Sequence, residues 1–140
     1  MNVYLDASVL VALFTRDRLS ARADAFLRAN MPVLIVSNFA AAEFSSALAR
    51  RVRTGEMRAD EARLAFSNFD AWTARSTQHA ELVAADVTAA QAFLRRLDLA
   101  LRAPDALNIA IALRLAADLA TFDDKMAASA VALGTPIAAA

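Results

Sequence analysis

Pro32-Val33-Leu34-Ile35-Val36 is apolar at every position, so neither alternating face of this segment can meet water. A short β-branched run of this kind belongs inside a sheet covered on both faces, the situation of a parallel strand in an α/β fold. Val3 to Leu5 suits the same role and ends on an acid, Asp6. His79 to Val83 reads as a weaker strand, Asp118 to Phe122 as another, and Pro136 to Ala138 as a last edge strand. Helical stretches separate them. Ala7 to Phe14 is the first, and Ser20 is expected to cap a second, to about Ala29, with Phe26 and Leu27 inward. Ser37 or Asn38 caps a third, which runs to about Thr54, where Gly55 is the natural stop. Others span about Ala59 to Arg75, Asp86 to Leu97, Pro104 to Leu115 and Asp124 to Leu133, the last closed by Gly134. Strands alternating with helices imply a parallel sheet with right-handed crossovers. A length of 140 residues suits a single domain, 1–140.

Composition removes several chemistries. Cysteine is absent, which excludes thiolate zinc sites and cysteine nucleophiles, and the single histidine, His79, excludes a multi-histidine metal site. Only Gly55 and Gly134 are present, too few for a phosphate-cradling glycine motif. The formal net charge is +0, so the chain is no wholly basic nucleic-acid binder, although a local basic face is allowed. No apolar run approaches the ~20 residues of a membrane span, and Met1 to Asp6 has no basic leader. A cytoplasmic protein without membrane association is expected.

In a parallel sheet, active sites form outside the carboxyl ends of the strands. Asp6 directly follows the first strand, and Asp123 the strand at Asp118 to Phe122. Glu43 lies on the helix after the second strand and interrupts the apolar Phe39-Ala40-Ala41-Ala42-Glu43-Phe44. Asp105 opens the helix Pro104-Asp105-Ala106-Leu107-Asn108-Ile109-Ala110-Ile111, which is apolar on nearly every side. Taken singly, Asp6, Asp105 and Asp123 could each be helix caps or dipole partners, with Asp124 competing for the last position. Taken together they bring four negative charges to one edge. Carboxylates so placed repel unless a cation joins them, and Mg²⁺ or Mn²⁺ is the hard divalent ion such oxygen donors suit.

The ordered set Tyr4-Leu5-Asp6-Ala7-Ser8-Val9-Leu10, Ala42-Glu43-Phe44, Arg102-Ala103-Pro104-Asp105-Ala106-Leu107-Asn108-Ile109-Ala110 and Leu119-Ala120-Thr121-Phe122-Asp123 resembles the four acid motifs of PIN-domain proteins. The similarity is greatest to the VapC-type toxins of bacterial toxin–antitoxin pairs, and it spans essentially the whole chain. The resemblance implies an α/β, PIN-like three-layer fold with a short, mostly parallel central sheet flanked by helices. It also implies a metal-dependent endoribonuclease, a homodimer, and a cognate antitoxin that blocks the site. Asp6, Glu43, Asp105 and Asp123 carry the family's four acids. Asn108 stands where many relatives have histidine, and Asp124 doubles the last acid, so either of that pair can face the site.

Hydrolysis of an RNA phosphodiester is the expected reaction, with Asp6 and Asp105 holding Mg²⁺ (or Mn²⁺) most directly and Glu43 and Asp123 completing the site. Ser8 and Arg102 are candidate substrate contacts, and Arg50, Arg51, Arg53, Arg95 and Arg96 could line a basic path or pair with surface acids. His79 is expected at the surface or in packing. Phe66, Phe69 and Trp72 recur at three-residue spacing as a core or dimer stripe. A haloacid-dehalogenase-type phosphatase with Asp6 as nucleophile fits less well, because Ser8 stands where its second acid is needed. A non-catalytic PIN-like binding module would be expected to have lost one of the acids, and none is missing.

Overall fold

The computed structural model describes residues 1–138, so the last two residues of the expected 1–140 domain lie outside the described residues. The elements are β1 (Asn2–Leu5), α1 (Ala7–Phe14), α2 (Ser20–Asn30), β2 (Val33–Ser37), α3 (Asn38–Arg53), α4 (Ala59–Ser76), β3 (Gln78–Ala80), α5 (Ala84–Leu94), α6 (Ala103–Arg114), β4 (Asp118–Ala120) and α7 (Asp124–Ala132). The strands form one sheet in the order β3-β2-β1-β4, every pairing parallel. Tyr4 pairs with Ile35 on one side and Leu119 on the other, so β1 is central, and Val3, Tyr4 and Leu5 are fully buried. The anticipated edge strand after Gly134 is a single bridge, Leu119 to Ile137.

The chain winds outward through β1, β2 and β3, then returns to place β4 on the other side of β1. With right-handed crossovers, that reversal sends the helices before and after β3 to opposite faces of the sheet. Packing follows suit: α1 packs on α2 and α3, and α3 on α4, whereas α5 packs on α6 and α6 on β4. The result is the expected three layers. The reversal point lies between β1 and β4, where an α/β sheet opens a crevice at its carboxyl edge.

Local chemistry sets the helix ends. Ser37 caps α3, its Oγ accepting the Ala40 N–H at 2.9 Å. Gly55, at φ +79°, takes the left-handed turn that ends α3, and its N–H donates to the Val52 carbonyl. Ser20 is not the cap the sequence suggested. It is the first residue of α2, and its hydroxyl donates back to the Thr15 carbonyl while accepting from the Asp17 N–H.

The aromatic stripe turns inward. Phe69 stacks on Phe44 with centroids 4.5 Å apart, while Trp72 and Phe69 meet Phe14 edge-on at 5.3 and 5.4 Å. Edge-to-face and offset-stacked contacts of this kind are favourable beyond the area they bury. The stripe that could have served a second subunit packs mostly within its own chain.

Asp86 lies in the first turn of α5, where sequence alone suggests a solvent-facing helix start, yet it is 1% exposed. Its two oxygens take a bidentate pair of hydrogen bonds from Arg114, at 2.8 and 3.1 Å, and it also accepts from the Val83 N–H. The sequence shows only a capping acid there. Its partner comes from α6, and the pair joins α5 to α6.

Candidate active site

Asp6 sits at the reversal point. Its N–H donates to the Ala120 carbonyl of β4, and its carboxylate caps α1 by accepting the Val9 N–H at 3.2 Å. The Ser8 hydroxyl donates to Oδ1 at 2.6 Å and the Thr121 hydroxyl donates to Oδ2. Ser8 Oγ in turn accepts the Phe122 N–H, and Thr121 Oγ1 accepts the Asp123 N–H. These hydroxyls tie the acid to the end of β4. Asp6 is only 4% exposed, and burial pushes its carboxyl above the usual range while the hydroxyl and backbone donors pull the other way. No cation pairs with it among the described residues.

Glu43 is half-buried on α3. Its Oε1 accepts from the Asn108 amide at 2.6 Å. Burial raises its carboxyl, the Asn108 hydrogen bond lowers it, and the negative charges of Asp6 and Asp105 raise it again. Arg102 acts in the opposite sense. Glu43 therefore lies within electrostatic reach of two of the other acids. The Asn108 amide is a partner that no local sequence pattern reports, since it lies 65 positions from Glu43.

Asp105 closes the first turn of α6, its Oδ2 accepting the Arg102 N–H at 3.2 Å. Asp123 rather than Asp124 is the cap of α7, its Oδ1 accepting from the N–H groups of Lys125 and Met126. The capping roles weighed from sequence are thus real for Asp6, Asp105 and Asp123. They leave capacity over: no hydrogen bond among the described residues engages Glu43 Oε2, Asp105 Oδ1 or Asp123 Oδ2. Asp105 and Asp123 line one groove of about 380 Å³ together with Arg102 and Lys125. A second groove, of about 560 Å³, runs from Glu43 and Pro104 along α3 to Arg50 and Arg51.

The four acids share one edge without forming a closed cage. Among the described residues, no three acids or histidines stand close enough to enclose a metal ion by themselves. A Mg²⁺ ion does not need such a cage, because it keeps several waters and takes one or two carboxylates. Hard oxygen donors with unused lone pairs, mutually repelling around a crevice, fit that ion.

The other sequence candidates divide. Arg51 is occupied structurally, donating to Thr15 Oγ1 at 3.1 Å and standing 3.7 Å from Asp17. Arg96 pairs with Asp98 at 3.0 Å on the surface. Arg102, at the mouth of the Asp105 groove, and Arg50, in the α3 groove, are exposed. His79 is on the surface beside Glu81, away from the acids. Tyr4, Ser37 and Thr121 gave no functional signal in the sequence, because each reads there as strand or cap.

Several known proteins share this architecture. VapC20 of Mycobacterium tuberculosis, a toxin that cleaves the sarcin–ricin loop, superposes with a TM-score of 0.74 at 20% identity, covering 95% of each chain. VapBC2 of Rickettsia felis, solved on a DNA fragment from its promoter, gives 0.68 at 16% identity over 98% of this chain and 96% of the other. FitAcB of Neisseria gonorrhoeae gives 0.66 at 15% identity, over 96% and 95%. No curated protein sequence gives a significant match. No helix among the described residues is long and apolar enough to cross a membrane. The sequence matches the PIN domain family over residues 3–132, and the chain, with its four-stranded parallel sheet flanked by helices, belongs to that family.

Proposed function

We propose that this PIN-domain chain is a Mg²⁺- or Mn²⁺-dependent endoribonuclease acting as the toxin of a type II toxin–antitoxin pair. The observation that carries the reading is Asp6, a carboxylate 4% exposed, held by three protein donors and matched by no cation among the described residues, at the reversal point of the sheet. A buried acid without a counter-ion is costly, and a bound divalent ion removes that cost. VapC20, similar to this chain in fold, is a toxin that cleaves the sarcin–ricin loop, and the similar VapBC2 was solved on a DNA fragment from its promoter.

Asp6, Glu43, Asp105 and Asp123 would hold the ion, which when bound supplies an activated water and offsets charge on the scissile phosphate. Ser8 and Thr121 fix the Asp6 carboxylate, so Ser8 acts through that acid rather than as the substrate contact the sequence suggests. Arg102 meets a phosphate at the mouth of the Asp105 groove, and Arg50 continues the path along α3. An antitoxin would cover these grooves. A homodimer is proposed around α4, where Leu64 is 64% exposed beside the inward-facing stripe. Sedimentation giving only monomer at tens of micromolar would reject the dimer.

The test is RNA cleavage by chelator-treated protein as Mg²⁺ or Mn²⁺ is restored. Cleavage should appear with the ion and be lost in Asp6→Asn. Full cleavage in excess chelator, or a wild-type rate in Asp6→Asn, would overturn the reading.

A further inference from the structure

One buried run of hydrogen bonds starts and ends on α3. The Ala40 N–H donates to Ser37 Oγ at 2.9 Å, and Ser37 lies 2.6 Å from the Tyr4 hydroxyl. Tyr4 donates to Asn108 Oδ1 at 2.5 Å, and Asn108 Nδ2 donates to Glu43 Oε1 at 2.6 Å and to the Pro104 carbonyl at 3.1 Å. Each proton has one place to go. Asn108 Oδ1 can only accept, so the Tyr4 proton points at it, and Ser37 must then donate to Tyr4. The Asn108 amide cannot flip, because its oxygen would face both the Pro104 carbonyl and the Glu43 carboxylate. Ser37 and Tyr4 are fully buried and Asn108 is 3% exposed, so water does not compete.

The placement of these residues is as informative as their bonds. Tyr4 shares β1 with the approach to Asp6, Asn108 lies one helical turn after Asp105 on α6, and Glu43 is on α3. The run therefore ties together the three elements that carry three of the acids. Nothing else described holds Glu43, whose second oxygen is left without a hydrogen bond.

We propose that Asn108, locked by Tyr4, is the positioning residue that fixes the Glu43 carboxylate relative to Asp6 and Asp105, and so sets the affinity of the site for a divalent ion. This rests on the metal-dependent reading above. Partners that orient a ligating carboxylate change metal affinity by about 10–100-fold when removed.

The experiment is Mn²⁺ binding to the full chain by calorimetry, without RNA, in wild type, Asn108→Ala, Glu43→Gln and the double variant. Asn108→Ala should weaken Mn²⁺ binding about tenfold. The double variant should bind no more weakly than Glu43→Gln alone, because the amide acts only through that carboxylate. A merely structural role would give losses that add. Tyr4→Phe keeps the buried ring and should weaken binding by about threefold, with no further effect once Asn108 is Ala, and it stands in should Asn108→Ala fail to fold. Wild-type affinity in Asn108→Ala or Tyr4→Phe, or additive losses in the double variant, would overturn the positioning role while leaving the metal site intact. A wild-type protein that binds no Mn²⁺ would overturn the metal reading, and this proposal with it.

Discussion

Asp86 and Asp6 are equally hidden from solvent, yet the fold treats them in opposite ways. Asp86 receives a bidentate arginine and a backbone N–H, so its charge is matched inside the chain. Asp6 receives two hydroxyls and a backbone N–H, which orient its carboxylate without matching its charge. Their locations differ to match: Asp86 joins two helices, whereas Asp6 follows β1 where the sheet order reverses. A buried acid with its own cation is a structural joint, and one that is oriented but left unmatched at a strand's carboxyl end is the place where the proposed divalent ion would supply the missing charge.

The largest effect that could break this contrast is on activity. Asp6→Asn should reduce RNA cleavage by orders of magnitude while the protein stays folded, and Asp86→Asn should leave cleavage by the folded fraction near normal. Rates corrected for folded fraction by circular dichroism would reveal an exchange of these outcomes. Next is the ion itself. Mg²⁺ at a hundred times its dissociation constant should stabilise wild type by about 2.7 kcal/mol and Asp6→Asn far less, measured as a shift in Tm. Equal shifts in both proteins would show that the ion binds elsewhere.

Asp86→Asn should cost about 2 kcal/mol in denaturant titrations. That lies below the 3–5 kcal/mol typical of a broken buried pair, because Arg114 is about one-third exposed and solvent can rehydrate it. A smaller loss, about 1 kcal/mol, is expected for Asp123→Ala from its cap alone, and cleavage should fall by more than that instability explains. Cleavage that merely tracked stability would reduce Asp123 to a cap.

The smallest effect is on the pH dependence of stability. Burial raises the carboxyls of both Asp6 and Glu43, so the folded state holds their protons to higher pH than the unfolded chain does. Their contribution to metal-free stability is therefore greatest at acid pH, and it declines as pH rises from about 4 through the raised folded values. Saturating Mg²⁺ should reverse that slope, since the ion binds the ionised acids. Chelated and loaded proteins with parallel pH–stability curves would argue against acids that titrate at the ion's site.

The strands, the helices and their parallel sheet could be read from the sequence, because apolar runs and helix signals are local patterns; the strand order β3-β2-β1-β4 could not, because it depends on where distant segments pair. Ser37 was legible as a cap for the same reason. Its neighbours in the buried run were not. Tyr4 and Asn108 are 104 positions apart in sequence, and Thr121 and Asp6 are 115 apart. Periodicity cannot report contacts made only when β1 is flanked by β4 and α6. Asp86 misled for a related reason: an acid in the first turn of a helix looks solvent-facing until a distant arginine is brought to it.

The central position of β1 has a consequence for how the protein comes into being. Strand β1 is completed long after it is made, since one of its two neighbours, β4, leaves the ribosome more than a hundred residues later. At about 5–20 residues per second, the growing chain spends several seconds with Asp6 synthesised but lacking Thr121 and the Ala120 carbonyl. During that interval β1 lacks its β4 neighbour. The surroundings of Asp6 are thus assembled only once β4 has followed β1 out of the ribosome.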